Sequence, residues 1–176
     1  MTTLLGISGS LRKASTNTML LRNAARIFNP DTFIEGNIRF PLYDGDLEDA
    51  SGIPDAVQTL SDQIKAADAV IIAGPEYNKA MSGSLKNALD WISRTEGNPW
   101  KNKPLAIMSA TAGRAGGERT QFSLRLGMMT FRPRILQGPE VLVAGSAKEF
   151  DDKGILTGET YVKLLTELMD ELRALV

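Results

Sequence analysis

Thr3-Leu4-Leu5-Gly6-Ile7-Ser8-Gly9-Ser10-Leu11-Arg12-Lys13-Ala14-Ser15-Thr16-Asn17-Thr18 is the stretch whose reading decides the fold. Residues 3–7 form a short apolar run and read as a buried strand. From residue 17 the period changes: residues 17–28 place Leu20, Ala24, Ile27 and Phe28 on one helical face. The joint between strand and helix holds five hydroxyl residues, a glycine, an amide and two cations. A helix N-terminus offers unpaired N–H groups and a positive dipole end, both suited to an anion. Hydroxyls add donors, and Arg12 can pair with a phosphate bidentately. The plainer alternative is that Ser15 caps the helix while Arg12 and Lys13 are solvated. The triphosphate loop G-x-x-x-x-G-K-[ST] is absent, and Gly6 and Gly9 lack the third glycine of a dinucleotide fingerprint. The joint therefore reads as a cradle for a phosphate monoester.

The same alternation continues outward. A weaker strand covers residues 33–40, and residues 41–52 read as an irregular Pro/Asp/Gly stretch. Pro54 suits the first turn of a second helix with Val57, Leu60, Ile64 and Ala67 on its face. Ala69-Val70-Ile71-Ile72-Ala73 is the clearest strand, stopped by Gly74-Pro75. Helix 84–94, a strand from Pro104 to Ala110, helix 116–129, strand 141–144 and helix 159–175 complete the pattern. Five βα units imply an α/β domain: one open five-stranded parallel sheet with helices on both faces, spanning residues 1–176. In such sheets ligands sit beyond the C-terminal strand ends, where strand order reverses.

The composition narrows the chemistry. The 176 residues are 43% hydrophobic, carry a net charge of −1, and contain no cysteine and no histidine. Disulfides, thiol nucleophiles, the Ser-His-Asp triad and the usual zinc sites are excluded, so no metal site is expected. The balanced charge offers no broad field for nucleic acid. No apolar run is long enough for a membrane span, and no charged n-region precedes the first strand, so a cytoplasmic protein is expected. Any catalysis would fall to a bound cofactor.

Two further loops fit that need. Gly74-Pro75-Glu76-Tyr77-Asn78 ends the third strand with an aromatic and an amide that can flank a flat heteroaromatic ring, although Gly-Pro is also an ordinary turn. Ser109-Ala110-Thr111-Ala112-Gly113-Arg114-Ala115-Gly116-Gly117 lets backbone approach a ligand closely. In Gly83-Ser84-Leu85-Lys86-Asn87-Ala88-Leu89-Asp90-Trp91, the residues Leu85, Leu89 and Trp91 read as core.

Together, G-S-L-R-K-x-S-x-N at residues 9–17, P-E-Y-N at 75–78, G-S-L-K-N-A-L-D-W at 83–91 and the Gly-Gly loop at 113–117 resemble the NADPH-dependent FMN reductase family, which includes chromate and quinone reductases. The resemblance implies a flavodoxin-like three-layer fold with strand order 2-1-3-4-5 and tight, non-covalent FMN. By the same resemblance, Ser10, Arg12, Ser15, Thr16, Asn17 and Thr18 hold the phosphate. Pro75, Glu76, Tyr77 and Asn78 line the ring and ribityl chain, and Ser109 and Gly113 meet the pyrimidine edge. Relatives are homodimers or homotetramers. The implied activity is a ping-pong transfer from NADH or NADPH, through FMN, to a quinone, flavin, chromate or azo compound, with no side chain acting as acid or base. The rival is a flavodoxin-type electron carrier working with a protein partner. Such carriers are strongly acidic, which this nearly neutral chain is not.

Overall fold

The computed structural model describes residues 1–176. The elements run β1 (Thr3–Ser8), α1 (Thr16–Phe28), β2 (Thr32–Gly36), α2 (Gly45–Ser51), α3 (Asp55–Ala66), β3 (Ala69–Ala73), α4 (Gly83–Ile92) and β4 (Pro104–Ala110). They continue with α5 (Glu118–Met128), β5 (Arg134–Ile135), β6 (Val141–Val143) and α6 (Glu159–Arg173). All pairing is parallel, in the order β2-β1-β3-β4-β5, with β6 also on β4. The expected order holds, with a refinement at its last position. There β5 pairs with Pro104 and Leu105 at the start of β4, while β6 pairs with Met108–Ala110 at its end. Two short strands separated by Leu136-Gln137-Gly138-Pro139-Glu140 thus share the place of one, because a proline cannot donate to the ladder.

Successive strand residues face opposite layers. Leu5, Ile7, Val70, Ile72, Leu105 and Ile107 join the apolar cluster under α3, α4 and α5. Leu4, Ala69, Ile71, Ala73, Ala106 and Met108 join the cluster under α1 and α6. The alanines on the second face let α1 lie close to the sheet. Gly6 does the same, since a Cβ there would sit 2.8 Å from Leu21 Cδ2.

Two expectations change. The second strand ends at Gly36 rather than residue 40. Residues 41–52 are not wholly irregular: Asp44 accepts the Asp46 N–H at 3.0 Å and starts α2. That helix buries no residue, so it lacks the apolar period that announces a helix. It is held by tertiary bonds instead. Arg94 Nε meets Glu48 Oε2 at 2.9 Å, and Asn87 and Trp91 Nε1 donate to the Pro41 carbonyl at 2.9 and 2.8 Å. Trp91 also packs edge-on against Tyr43. No helix is long and apolar enough to cross a membrane.

Candidate functional site

Strand order reverses between β1 and β3, and a cavity of about 670 Å³ opens above their C-terminal ends. It is lined from the loops after β1, β3, β4 and β6. A volume of that size suits a small-molecule or cofactor site.

The cradle after β1 is built from backbone first. Ser15 caps α1, its Oγ accepting the Thr18 N–H at 3.3 Å. The N–H groups of Thr16 and Asn17 in the first turn then have no acceptor within the chain. Ser10, Arg12, Ser15, Thr16 and Asn17 all line the cavity. The Arg12 guanidinium has no partner within the chain. Gly9 seats this loop: its N–H donates to Ala73 O at 2.8 Å, and a Cβ there would press on Gly74 and Pro75. The carbonyl of Gly9 accepts the hydroxyls of Ser82 and Ser84 at 2.5 and 3.1 Å. The Gly83–Trp91 motif therefore serves the site indirectly, by clamping the first loop and filling the core with Leu85, Leu89 and Trp91.

Some candidate residues support the site without lining it. Thr18 Oγ1 donates to Ser8 Oγ at 2.8 Å, and its side chain is spent there. The Asn17 amide also turns inward, donating to Ala110 O at 2.8 Å and accepting the Ala110 N–H at 2.9 Å. It ties α1 to β4, leaving its backbone N–H for a ligand. Asn78 and Lys79 have φ of 50° and 67° and form the tip of a two-residue turn closed by Tyr77 and Ala80. Asn78 lies outside the cavity, and the positive φ explains an asparagine there. Tyr77 stands at the rim, 49% exposed. Pro75 and Glu76 line the wall, and Glu76 Oε2 accepts the Arg119 N–H at 3.1 Å, meeting the N-terminus of α5.

Ser109 is fully buried beneath the loop after β4, donating to Gly116 O at 2.7 Å and accepting from Gln121 Nε2 at 3.0 Å. Gly113 and its neighbours form the lining above it. Ser146 and Ala147, after β6, line the cavity too, and the Ser146 hydroxyl lies 3.1 Å from that of Thr16. Sequence reasoning missed this pair. The signal was present, since the rule that ligands meet C-terminal strand ends covers the last strand as well.

The donors at the α1 end are N–H groups, hydroxyls and one guanidinium. The lining's single carboxylate, Glu76, is bonded at α5. That set fits a phosphate monoester, and the remaining wall of proline, tyrosine, glycine and alanine fits a flat ring. Fold and site together define a flavodoxin-like α/β protein of the phosphate-cradling, ring-binding kind.

Comparison with known proteins agrees. The family model for NADPH-dependent FMN reductase matches residues 2–148, and the chain belongs to that family. The NAD(P)H-dependent FMN reductase of Pseudomonas aeruginosa is 41% identical over 171 residues, covering 96% of this chain and 92% of its own. A quinone reductase of Escherichia coli is 37% identical over 137 residues, covering 76% and 73%. The structure of FerB, a flavoenzyme NAD(P)H:(acceptor) oxidoreductase from Paracoccus denitrificans, superposes with a TM-score of 0.87 at 30% identity, over 99% of this chain and 96% of that one. The chain is an oxidoreductase, with FMN as cofactor and a reduced nicotinamide nucleotide as co-substrate.

Proposed function

We propose that the chain reduces quinones, free flavins and similar small acceptors, chromate and azo compounds among them, by a ping-pong cycle. Reduced nicotinamide and oxidised acceptor would use the open side of one cavity in turn. The observation that carries this reading is the cavity above β1 and β3, which has one N–H-built phosphate cradle at its α1 end and an exposed Tyr77 in its lining. FMN, when bound, supplies the two-electron and hydride-carrying capacity that a chain without histidine or cysteine lacks.

The chain's own work is positioning. The Thr16 and Asn17 N–H groups, the hydroxyls of Ser10, Ser15 and Thr16, and Arg12 would hold the phosphate. Pro75, Glu76 and Tyr77 would flank the ribityl chain and ring, and Gly113 with its loop amides the pyrimidine edge. In this reading Thr18, Asn78 and Ser109 hold the loops rather than the cofactor.

A homo-oligomer is part of the proposal, and the surface supports it. Phe122, Leu126 and Met129 are 54–71% exposed at helical spacing, beside Arg132 and Arg134. Across α4, Leu42, Tyr43 and Leu47 are also exposed, among Asp44, Asp46 and Asp49. A two-fold partner can set the basic apolar patch on the acidic one twice. The reading also places the protein in the cytoplasm.

Initial rates at varied NADPH and quinone test the cycle. Parallel double-reciprocal lines, with turnover dependent on FMN and on no partner protein, are expected. Intersecting lines refute ping-pong, and turnover only with a protein acceptor favours the electron carrier.

A further inference from the structure

The arginines divide sharply by what they bond. Arg22, Arg26, Arg39, Arg94, Arg125 and Arg173 each donate to an acceptor within the chain. Arg12, Arg114, Arg119, Arg132 and Arg134 do not, and of these five Arg12, Arg114 and Arg119 line the main cavity while Arg132 and Arg134 lie away from it. Arg12 belongs to the cradle at α1. The other two in the lining lie elsewhere: Arg114 in the loop after β4, Arg119 in the first turn of α5. With β3 between them, the ends of β1 and β4 stand about 10 Å apart at ordinary strand spacing. The wall near β4 therefore carries a cationic centre of its own.

That centre is not there to stabilise the fold. Both residues are exposed, and neither side chain makes a hydrogen bond or ion pair. Nor is it there to serve the α5 dipole, which prefers an anion and has one in Glu76. Two unpaired cations on the wall of a cleft are an arrangement that an anionic ligand relieves. The phosphate of FMN is already provided for at α1. Lys79, the remaining cation of this region, lies at a turn tip outside the cavity and takes no part.

We propose that Arg114 and Arg119 form a second anion clamp at the mouth of the cavity, which takes the phosphate groups of the incoming nicotinamide dinucleotide. The proposal rests on the reductase reading above and adds to it how two unlike substrates use one cavity. A dinucleotide brings a pyrophosphate, and NADPH a further 2′-phosphate, whereas a neutral quinone brings neither. The clamp thus acts in the reductive half of the cycle. Because the guanidinia are exposed and flexible, the oxidised nucleotide can leave before the acceptor enters.

The test uses FMN-loaded wild type, the R114A/R119A double variant, and K79A as a control outside the cavity. Calorimetric titration with NADP⁺ and NAD⁺ reads binding without turnover. Anaerobic stopped flow then reads reduction by NADPH and NADH, and reoxidation by a neutral quinone. In the double variant the apparent second-order constant for reduction by NADPH falls roughly tenfold or more, the scale of losing charged hydrogen bonds. NADP⁺ affinity falls in step, and quinone reoxidation changes much less. Equal weakening of both nucleotides places the clamp on the pyrophosphate, and selective weakening of the NADP pair places it on the 2′-phosphate; either supports the proposal. Dinucleotide binding and reduction retained in the double variant overturn it. So does a wild type with no measurable affinity for either nucleotide, or loss of FMN from the double variant. A wild type that binds no FMN refutes the reductase reading itself.

Discussion

Replacing Arg12 with alanine separates the phosphate from the rest of the cofactor. The guanidinium lines the cavity beside the first turn of α1, and no carboxylate of the chain competes for it. A charge-assisted hydrogen bond contributes about 1.5–3 kcal/mol, or roughly 10- to 150-fold in Kd. Arg12 is exposed, so water and salt screen it and the lower half of that range applies. The loss is bounded from above as well, because the Thr16 and Asn17 N–H groups and the capped helix end survive the substitution. The assay is titration of cofactor-free protein with FMN, followed by flavin fluorescence, with riboflavin titrated in parallel. Riboflavin has the ring and ribityl chain but no phosphate. The Arg12→Ala protein should bind FMN about 10- to 30-fold more weakly, within that range, and riboflavin as before. Unchanged FMN affinity, or an equal loss for riboflavin, would refute the placement of the phosphate at this loop.

Thr18→Val removes the bond to Ser8 and should cost about 0.5–1.5 kcal/mol in urea unfolding while FMN affinity stays within about twofold; a larger affinity loss makes Thr18 a ligand. Gly117→Ala forces a side chain into φ 93° with Cβ 2.8 Å from Ser109, for about 2–4 kcal/mol and a Tm lower by roughly 5–15 °C. An unchanged Tm would show that this loop is not packed on β4. Arg94 holds the Glu48 carboxyl below its ordinary value of 4.5, chiefly through their hydrogen bond. That stabilisation is present above the ordinary value and is lost as pH falls through the lowered one. Arg94→Met should therefore raise the Glu48 pKa seen by NMR and shift acid unfolding to higher pH.

Much of the site was legible because it rests on local rules. The strand-to-helix joint at residues 8–18 declares an anion site through residue types alone, and the structure leaves its N–H groups and Arg12 without partners. What was not legible depended on partners distant in sequence. Asn17, Thr18 and Ser109 look like ligands in a linear reading because they are polar and lie in the first turn of α1 or at the end of β4. Their side chains bond to Ala110, Ser8 and the Gly116 carbonyl, and for the buried Asn17 and Ser109 such a partner is required. Asn78 takes φ 50° at a turn tip outside the cavity, a backbone position that itself favours asparagine. The helix α2 escaped notice because it has no apolar face, and β5 because two residues carry no period. The missing histidines and cysteines excluded whole chemistries and pointed to a cofactor, but they could not locate its cradle. The unpartnered groups at α1 mark the place proposed for it.

The central claim is that this cavity holds FMN so that small molecules deliver and collect electrons in turn. Anaerobic stopped flow on the FMN-loaded protein tests it most directly. Mixing with NADPH or NADH should bleach the flavin absorbance, and a second mixing with a quinone should restore it with no other protein present. A protein that binds no FMN, or whose reduced flavin waits for a protein partner before it is reoxidised, would contradict the account.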